Sequence, residues 1–274
     1  MALDPDIAYW CEMAEAYAWG DMFTATAEQP GNPVGAAVET PGDGVAFALT
    51  AVDIGLSNRV LGMGVARRAI ESDVDAAVAF FDRHERGVSV APLSPSATPP
   101  DLRVWFETRG YAPSRNWVKL WHPLHDLPSA ATDLRIEVVG PEWAADFARI
   151  SVIEAYGFPP QIAPCASATM GRTGWRHYLG FDGDTPVSSA AMRIEDGIAW
   201  LGFGATTEGY RRRGGQSAMF ARRLRDARDA GCRLAFTETG EESADDPNPS
   251  YHNMLRSGFE LAYARRNWVR GQQR

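Results

Sequence analysis

Residues 204–217 have the sequence GATTEGYRRRGGQS and carry the strongest structural signal in this 274-residue chain. The apolar run before them, at 198–203, predicts a strand, and Phe220, Leu224 and Ala227 recur after them at helical spacing. Glycines let backbone N–H groups approach an anion closely, and a helix start adds unsatisfied donors with a positive partial charge. The segment therefore predicts an anion-binding loop between a strand and a helix.

Composition limits the function classes. The net charge of −8 disfavours a general nucleic-acid binder, and 274 residues suffice for one large domain or two ordinary ones. Cys11, Cys165 and Cys232 are widely spaced without metal-ligand spacing, so we expect buried thiols, a reducing compartment and no metal site. The N-terminus lacks an apolar signal core and no segment approaches membrane-spanning length. We expect a cytoplasmic protein without a membrane partner.

The order of predicted elements restarts in the middle of the chain, beyond the proline-containing segment 122–130. Before it, the periodicity predicts a helix around 7–18, a strand at 45–52, a helix from about Ser72, a strand at 88–91 and a helix at 102–108. Beyond it, the pattern predicts a strand at 134–139, a helix at 142–156 and strands between 175 and 203 with hairpin turns at Gly183 and Gly197.

A weak internal repeat supports two related halves. A glycine followed by an aromatic residue precedes the sequence Arg-Asn-Trp-Val twice, at Gly110 with 115–118 and at Gly258 with 266–269. Each copy follows a predicted short helix, and this shared context favours duplication over coincidence. We therefore predict domains at residues 1–125 and 134–274, joined by a linker at 126–133.

The second half resembles the GCN5-related N-acetyltransferase (GNAT) superfamily, whose members transfer an acetyl group from acetyl-CoA to an amine. The pyrophosphate loop of that family follows Arg/Gln-x-x-Gly-x-Gly/Ala, and residues 211–216 (RRRGGQ) match it except at Gln216. Asn248, Ser250 and 258–259 (GF) resemble the family's C-terminal motif. Covering about 134–270, the resemblance implies an α/β (α+β) protein of two tandem acyl-CoA N-acyltransferase-like domains, each a mixed, mostly antiparallel sheet flanked by helices.

The resemblance also implies a binding site for acetyl-CoA as cosubstrate, without a metal. Two strands separate at this point in such enzymes, and their backbone groups contact the pantetheine arm and the thioester carbonyl. The implied cofactor-binding residues are Gly204, Ala205 and Thr206 at the strand end, Arg211, Arg212, Arg213, Gly214, Gly215, Gln216 and Ser217 in the loop, and Asn248 and Ser250 near the C-terminus.

Proton transfer is less clearly assigned. In many relatives a tyrosine four residues before the glycine of Gly-Phe is the general acid, but Met254 occupies that position and cannot donate a proton. Tyr251 lies on nearly the same helical face and is the substitute, unless it only packs beneath the sheet. Glu238 lies in the strand predicted beside the cofactor strand and is the candidate base. The remaining candidates are Tyr263 and Ser250 for the acid, and Glu154, Tyr156 and His177 for the base; a thiolate can also leave without a dedicated acid.

Residues 59–64 (RVLGMG) match the phosphate-loop pattern more literally than the second-half loop does. The predicted helix starts only near Ser72, among the carboxylates Glu71, Asp73 and Asp75, which would repel a pyrophosphate. We therefore expect the first domain to be a degenerate copy without cofactor. A helix directly after Gly64, with Arg67 and Arg68 near a phosphate, is the open alternative.

The resemblance implies an N-acetyltransferase, and we expect it to act on a primary amine, of a small molecule rather than a protein, by direct attack. A non-catalytic acyl-CoA-binding or sensor module is the alternative, favoured by Met254 and Gln216. Nucleotide-phosphate transfer is disfavoured because the loop lacks Gly-Lys-Ser/Thr. The expected partners are a small-molecule amine and, as one option, a second copy of the chain; nucleic acid and membrane are not expected.

Overall fold

The computed structural model describes residues 3–271, which form two compact units. The first unit contains the described residues up to Lys119 together with 262–271, and the second unit spans Leu120–Leu261. The chain therefore passes from one unit to the other twice, each time within a strand. The predicted second domain, 134–274, includes the whole last strand, whereas most of that strand belongs to the first unit. The role of 126–133 as an interdomain linker stays a prediction.

The first unit begins with a long helix and continues with short strands and helices. Pro5 at the first helical position and Asp4, whose side chain accepts the N–H of Asp6 at 2.8 Å, start the first helix. The elements in chain order are α1 (Pro5–Ala27), β1 (Ala36–Glu39), β2 (Val45–Leu49), β3 (Arg59–Leu61), α2 (Glu71–Arg83), β4 (Ser89–Leu93), α3 (Leu102–Glu107) and β5 (Ala112–His122).

The second unit has the longer strands. The predicted helix at 142–156 is irregular: a 3₁₀ turn at Pro141–Trp143 leads into a short α-helix and then a π-helical segment at Arg149–Glu154. Positive φ angles at Gly183 and Gly197 confirm the two predicted hairpin turns. The remaining elements are β6 (Arg135–Val139), α4 (Ala144–Ala148), α5 (Ala163–Ser167), β7 (Trp175–Asp182), β8 (Thr185–Glu195), β9 (Ile198–Thr206), α6 (Gly215–Asp229), β10 (Leu234–Gly240), α7 (Pro249–Arg256) and β11 (Glu260–Arg270).

Both halves share the order helix, three strands, helix, strand, helix, strand around one parallel pair, and the second half has β6 before it. In the first unit the order along the sheet is β1-β2-β3-β4-β11-β5, and only β3 and β4 pair in parallel among the assigned registers. In the second unit the order is β10-β9-β8-β7-β6, with β9 and β10 parallel and the other registers antiparallel. In each unit a helix joins the parallel strands. The predicted tandem, mostly antiparallel α/β fold is confirmed.

The duplicated motif begins with the same backbone conformation in both halves. Gly110 and Gly258 have φ angles of +83° and +85°, which are strained for residues with a side chain. Each glycine follows a short helix and precedes a long strand, β5 or β11. None of the helices within residues 3–271 is long and apolar enough to cross a membrane.

A buried cluster of charges holds β11 in the first unit. Arg265 contacts Glu12 at 2.6 Å and Glu15 at 2.7 Å, and Lys119 contacts Glu15 at 3.0 Å. Burial alone would raise the pKa of Glu15, but the charges of Arg265, Lys119 and Arg59 hold it well below its usual range. Since these side chains are buried, each charge depends on its partners rather than on water.

We expect Arg265→Leu to lower the free energy of unfolding by about 3 kcal/mol or more, because it leaves two buried glutamates short of a cation. Urea denaturation would measure the loss. The neighbouring Arg266 is exposed, so Arg266→Leu is the control and should change stability by less than about 1 kcal/mol. Equal effects of the two substitutions would contradict the role of the buried cluster.

Two buried histidines make the second unit sensitive to acid. His122 is 1% exposed and its Nδ1 accepts the N–H of Leu124 at 2.9 Å, while His177 is 2% exposed and its Nε2 lies 3.2 Å from Thr169 Oγ1. Burial lowers the pKa of each from 6.5 to about 4, with a smaller effect of His125 on His122. The folded state therefore favours the neutral rings. Their stabilisation is complete above about pH 6.5 and is lost as the pH falls towards 4.

In wild type, each of these histidines should contribute a slope of about 1.4 kcal/mol per pH unit to the free energy of unfolding between pH 6 and pH 4.5. His177→Gln should remove one such contribution. Denaturation curves at a series of pH values would measure the slope, with His252→Gln at an exposed position as control. An unchanged slope in His177→Gln would contradict this assignment.

Candidate active site

The parallel strands β9 and β10 of the second unit are paired over only part of their length. Their pairing runs from Ile198 opposite Leu234 to Trp200 opposite Phe236. Beyond that pair β9 continues to Thr206 and β10 to Gly240 without further register between them. This opening agrees with the separation that the family resemblance implied, and it exposes backbone groups on both strands.

A β-bulge lies on β9 at the start of this opening. The β8–β9 register shifts between Ser189 and Ala191, and Phe203 has a left-handed φ of +56°. Ser189 Oγ on β8 donates to the carbonyl of Phe203 at 3.1 Å. Because N–H and C=O point in opposite directions across a trans peptide, the N–H of Gly204 is directed away from β8. Since β9 lies between β8 and β10, we infer that this N–H faces the opening.

The loop after β9 leads into α6 through two residues with positive φ. Arg212 has φ +65° and Gly214 has φ +78°, and a Cβ at Gly214 would collide with the carbonyl oxygen of Ala131. The first helical bond of α6 runs from the N–H of Ala218 to the carbonyl of Gly214 at 3.0 Å. The N–H groups of the preceding residues, 215–217, are therefore the unpaired donors of the helix N-terminus.

The three loop arginines have different surroundings. Arg213 bonds to Asp182 at 2.9 Å and to Asp133, and these hydrogen bonds raise its pKa above the usual arginine value. Arg213 therefore anchors the loop to neighbouring segments of the unit. Arg211 and Arg212 are exposed, and Arg211 Nε donates to the carbonyl of Thr206 at 3.2 Å. These two supply the positive charge on the loop surface.

Gln216, the departure from the family pattern, bridges α6 to α7. Its Nε2 donates to Ser250 Oγ at 3.0 Å, and its Oε1 accepts from Asn253 Nδ2. A small residue could not make either bond. Asn248 starts α7 by accepting the N–H of Tyr251 at 3.2 Å, and its Nδ2 donates to the end of β10 at the carbonyl of Gly240, 2.6 Å away. Of the predicted cofactor contacts, Gln216, Asn248 and Ser250 thus also fix α7 beside the opening.

Glu238 lies on β10 beyond the last paired residue, as a cleft-facing base requires. The indole Nε1 of Trp200 donates to its carboxylate oxygens at 3.1 and 3.2 Å. Desolvation raises the pKa of Tyr156, and the negative charge of Glu238 raises it further. The carboxylate of Glu238 is therefore close enough to Tyr156 to affect its ionisation. The sequence did not identify Trp200 as a partner of Glu238. The position of Trp200 near the start of β9 was the one sequence feature that could have indicated this contact.

Two other base candidates, Glu154 and His177, also have partners. Glu154 accepts from Thr207 Oγ1 at 2.7 Å and pairs with Arg149 at 2.6 Å. Burial opposes ionisation, yet these two contacts lower its pKa below the usual value. His177 packs against Phe147 and Trp175 in the interior. Since Glu238 also has partners, contacts alone do not select among the carboxylates, and its place on β10 beyond the last β9 pair keeps it as the candidate base.

The candidate acids differ in whether they can donate a proton near the opening. Met254 is the buried residue of α7, 5% exposed, and its thioether has no proton to donate. Tyr251 is partly exposed on the same helix and keeps its place as candidate. Tyr263 lies in the first unit, where its hydroxyl donates to Glu12 at 2.7 Å. Within residues 3–271 there is also no group of three His, Cys, Asp or Glu side chains that could hold a metal ion.

The glycine motif of the first unit is closed by a carboxylate from its own chain. Asp43 accepts the N–H groups of Gly64 at 2.8 Å, Ala66 at 2.8 Å and Arg67 at 3.0 Å. Helix α2 begins only at Glu71, close to the predicted start. The side chain of Asp43 thus takes the donors that an anion would need. That the first domain binds no cofactor stays a prediction, and the turn residue Asp43 was not identified from the sequence.

No protein-family model matches the chain, and no curated protein matches it. Solved structures do. A GCN5-related N-acetyltransferase from Kribbella flavida is 19% identical with a TM-score of 0.57, covering 92% of this chain and 95% of its own. A second, from Sphaerobacter thermophilus, is 16% identical with a TM-score of 0.59, covering 84% and 82%. A tandem GNAT protein from the clavulanic acid biosynthesis pathway is 18% identical with a TM-score of 0.57, covering 93% and 94%.

These likenesses extend over most of both chains at identities below 20%, so they concern the fold. The tandem protein among them agrees with the two units of this chain. The chain therefore has the fold of the GCN5-related N-acetyltransferases, in the tandem form.

Proposed function

We propose that the second unit transfers an acetyl group from acetyl-CoA to the primary amine of a small molecule. The observation that carries this proposal is the opening between β9 and β10 directly before the N-terminus of α6. An elongated ligand with an anionic group at one end and a reactive carbonyl at the other matches that arrangement. The acetyltransferases with this fold support the same class of chemistry.

The loop would bind the pyrophosphate of acetyl-CoA. The N–H groups of 215–217 are unpaired donors at a helix N-terminus, where the helix dipole also favours an anion. Arg211 and Arg212 add exposed positive charges, while Arg213 forms ion pairs with Asp133 and Asp182. These residues fit a dianionic phosphate group without a metal.

The strand opening would hold the thioester. The Gly204 N–H faces the opening and can donate to the carbonyl oxygen, on which negative charge develops during attack. The amine nitrogen forms a bond to the carbonyl carbon, the carbon–sulfur bond breaks, and the thiolate leaves. The amine loses one proton, which Glu238 accepts directly or through water. Tyr251 is the candidate for returning a proton to the sulfur.

A non-catalytic acyl-CoA sensor is the second candidate, favoured by the buried Met254 at the usual tyrosine position. The two functions differ in one measurable respect. An enzyme releases thiol from acetyl-CoA when an amine from a panel is added, whereas a sensor binds acetyl-CoA without that release. Amine-independent binding with no thiol release from any amine would favour the sensor.

The double substitution Arg211→Gln with Arg212→Asn should weaken acetyl-CoA binding by at least about tenfold, because it removes charge-assisted contacts to phosphate. Asparagine suits the left-handed backbone at position 212. The control is Arg225→Gln with Arg228→Asn, which makes the same charge change farther along α6. Gly215 is a poorer probe, because a Cβ there would lie 2.9 Å from Leu134 Cδ1. Equal calorimetric affinities of both double variants would contradict the phosphate site.

Glu238→Gln should lower kcat by about 100-fold at saturating acetyl-CoA while its dissociation constant stays within about threefold, since a general base acts on the amine. Amide nitrogen cannot accept the proton, yet Gln can still accept the Trp200 indole N–H. The control is Glu241→Gln, which changes one charge beyond the end of β10. Full turnover in Glu238→Gln would rule this residue out as the base.

A further inference from the structure

Arg223 is a buried cation on α6 whose acceptors are carbonyl groups. It is 1% exposed, and the described part of the chain places no carboxylate within ion-pairing distance of it. Its Nε donates to the carbonyl of Met219 at 3.2 Å, and its Nη1 donates to those of Ala191 at 3.1 Å and Gly202 at 3.2 Å. The guanidinium also lies 4.8 Å from the ring centre of Phe220.

Burying the charged side chain of Arg223 costs desolvation free energy. Burial lowers the pKa of Arg223 to about 10, so the guanidinium remains protonated at neutral pH. Neutral carbonyls compensate only part of the desolvation cost of a cation. An apolar side chain of similar volume would fill the same space without that cost, so packing alone does not account for the arginine.

The position of Arg223 relates it to the bulge. Ala191 and Gly202 stand opposite each other on β8 and β9, and they are the last pair before the register shift. One guanidinium nitrogen therefore holds both strands at the point where the bulge begins. Another, Nη2, lies 3.8 Å from the place that a Cβ on Gly204 would occupy. The guanidinium charge of Arg223 therefore lies next to the peptides of residues 202–204, which border the strand opening.

Three side chains hold three consecutive carbonyls of β9. Thr237 Oγ1 donates to Leu201 at 2.9 Å, Arg223 donates to Gly202, and Ser189 Oγ donates to Phe203 at 3.1 Å. Arg223 is the charged member of this set. A hydrogen bond from a cation polarises the carbonyl it reaches, and the N–H at the other end of that peptide becomes a stronger donor. For the carbonyl of Gly202, that N–H belongs to Phe203.

We propose that Arg223 is a positioning residue for acetyl transfer. It fixes the bulge at 203–204 and polarises the peptide between Gly202 and Phe203, so that the bulge N–H groups stabilise the negative charge developing on the thioester oxygen. The catalytic part of this inference rests on the proposed function. The structural part concerns the protein alone and is measurable without acetyl-CoA.

Arg223→Met should lower kcat roughly 10- to 100-fold, less than the 10²- to 10³-fold cost of losing an oxyanion donor outright. The dissociation constant of acetyl-CoA should stay within about threefold, because the pyrophosphate contacts are untouched. Arg223→Lys keeps the charge and should recover part of kcat. The control is Arg222→Met on the same helix, where the arginine pairs with Asp226 and the charge change is identical. Unchanged kcat in Arg223→Met, or no recovery in Arg223→Lys, would overturn the catalytic role.

Amide NMR of the protein without ligand tests the structural part. The Phe203 and Gly204 amide signals should move upfield and their hydrogen exchange should accelerate in Arg223→Met, whereas Arg222→Met should leave both unchanged. If Arg223→Met does not fold, Arg223→Gln replaces it: glutamine keeps a neutral donor but no charge, so the Phe203 and Gly204 amide signals should still move upfield, and unchanged signals would overturn the structural part. Wild-type protein without amine-dependent thiol release would refute the proposed function, and the amide signals would still decide whether Arg223 holds the bulge.

Discussion

The separation of β9 from β10 is the constraint on which the second unit depends. Parallel pairing ends at Trp200 and Phe236, and the backbone groups beyond that point need other partners. Side chains from β8, α6 and β10 supply donors to the carbonyls of β9. Because Arg223 and Ser189 hold the carbonyls of Gly202 and Phe203, the N–H groups at the other ends of these two peptides point away from those side chains and towards the opening. The same feature weakens the sheet and creates a place for an extended ligand.

The helix that follows this opening is fixed at both ends of its first turn. Arg213 ties the loop before α6 to Asp133 and Asp182, and Gln216 ties the first turn to Ser250 on α7. These contacts leave the 215–217 N–H groups and two exposed arginines at the surface. The proposed function thereby separates anion binding from anchoring: among the described residues, Arg213 pairs with two aspartates, while Arg211 and Arg212 are exposed.

Much of the fold was predictable because its signals are local. Periodicity and turn glycines indicated α1, α2, β9 and α6, and the repeated Gly-aromatic motif indicated the tandem order. The π-helical segment at Arg149–Glu154 was missed, because its sequence has an ordinary helical pattern. For the candidate site, the sequence predicted the position of the glycine loop between β9 and α6. The roles of Asp43, Trp200 and Arg223 were not, since each depends on a contact between residues more than 20 positions apart.

The placement of β11 has a consequence for how the protein is made. This strand follows the second unit in sequence, yet it lies between β4 and β5 in the sheet of the first. During synthesis the first half therefore emerges with a gap in its sheet and a buried acidic pair, Glu12 and Glu15, still awaiting Arg265. The half that is translated first is completed last. A cut within 126–133 would thus not release two finished domains, because the first would lose the strand that closes it.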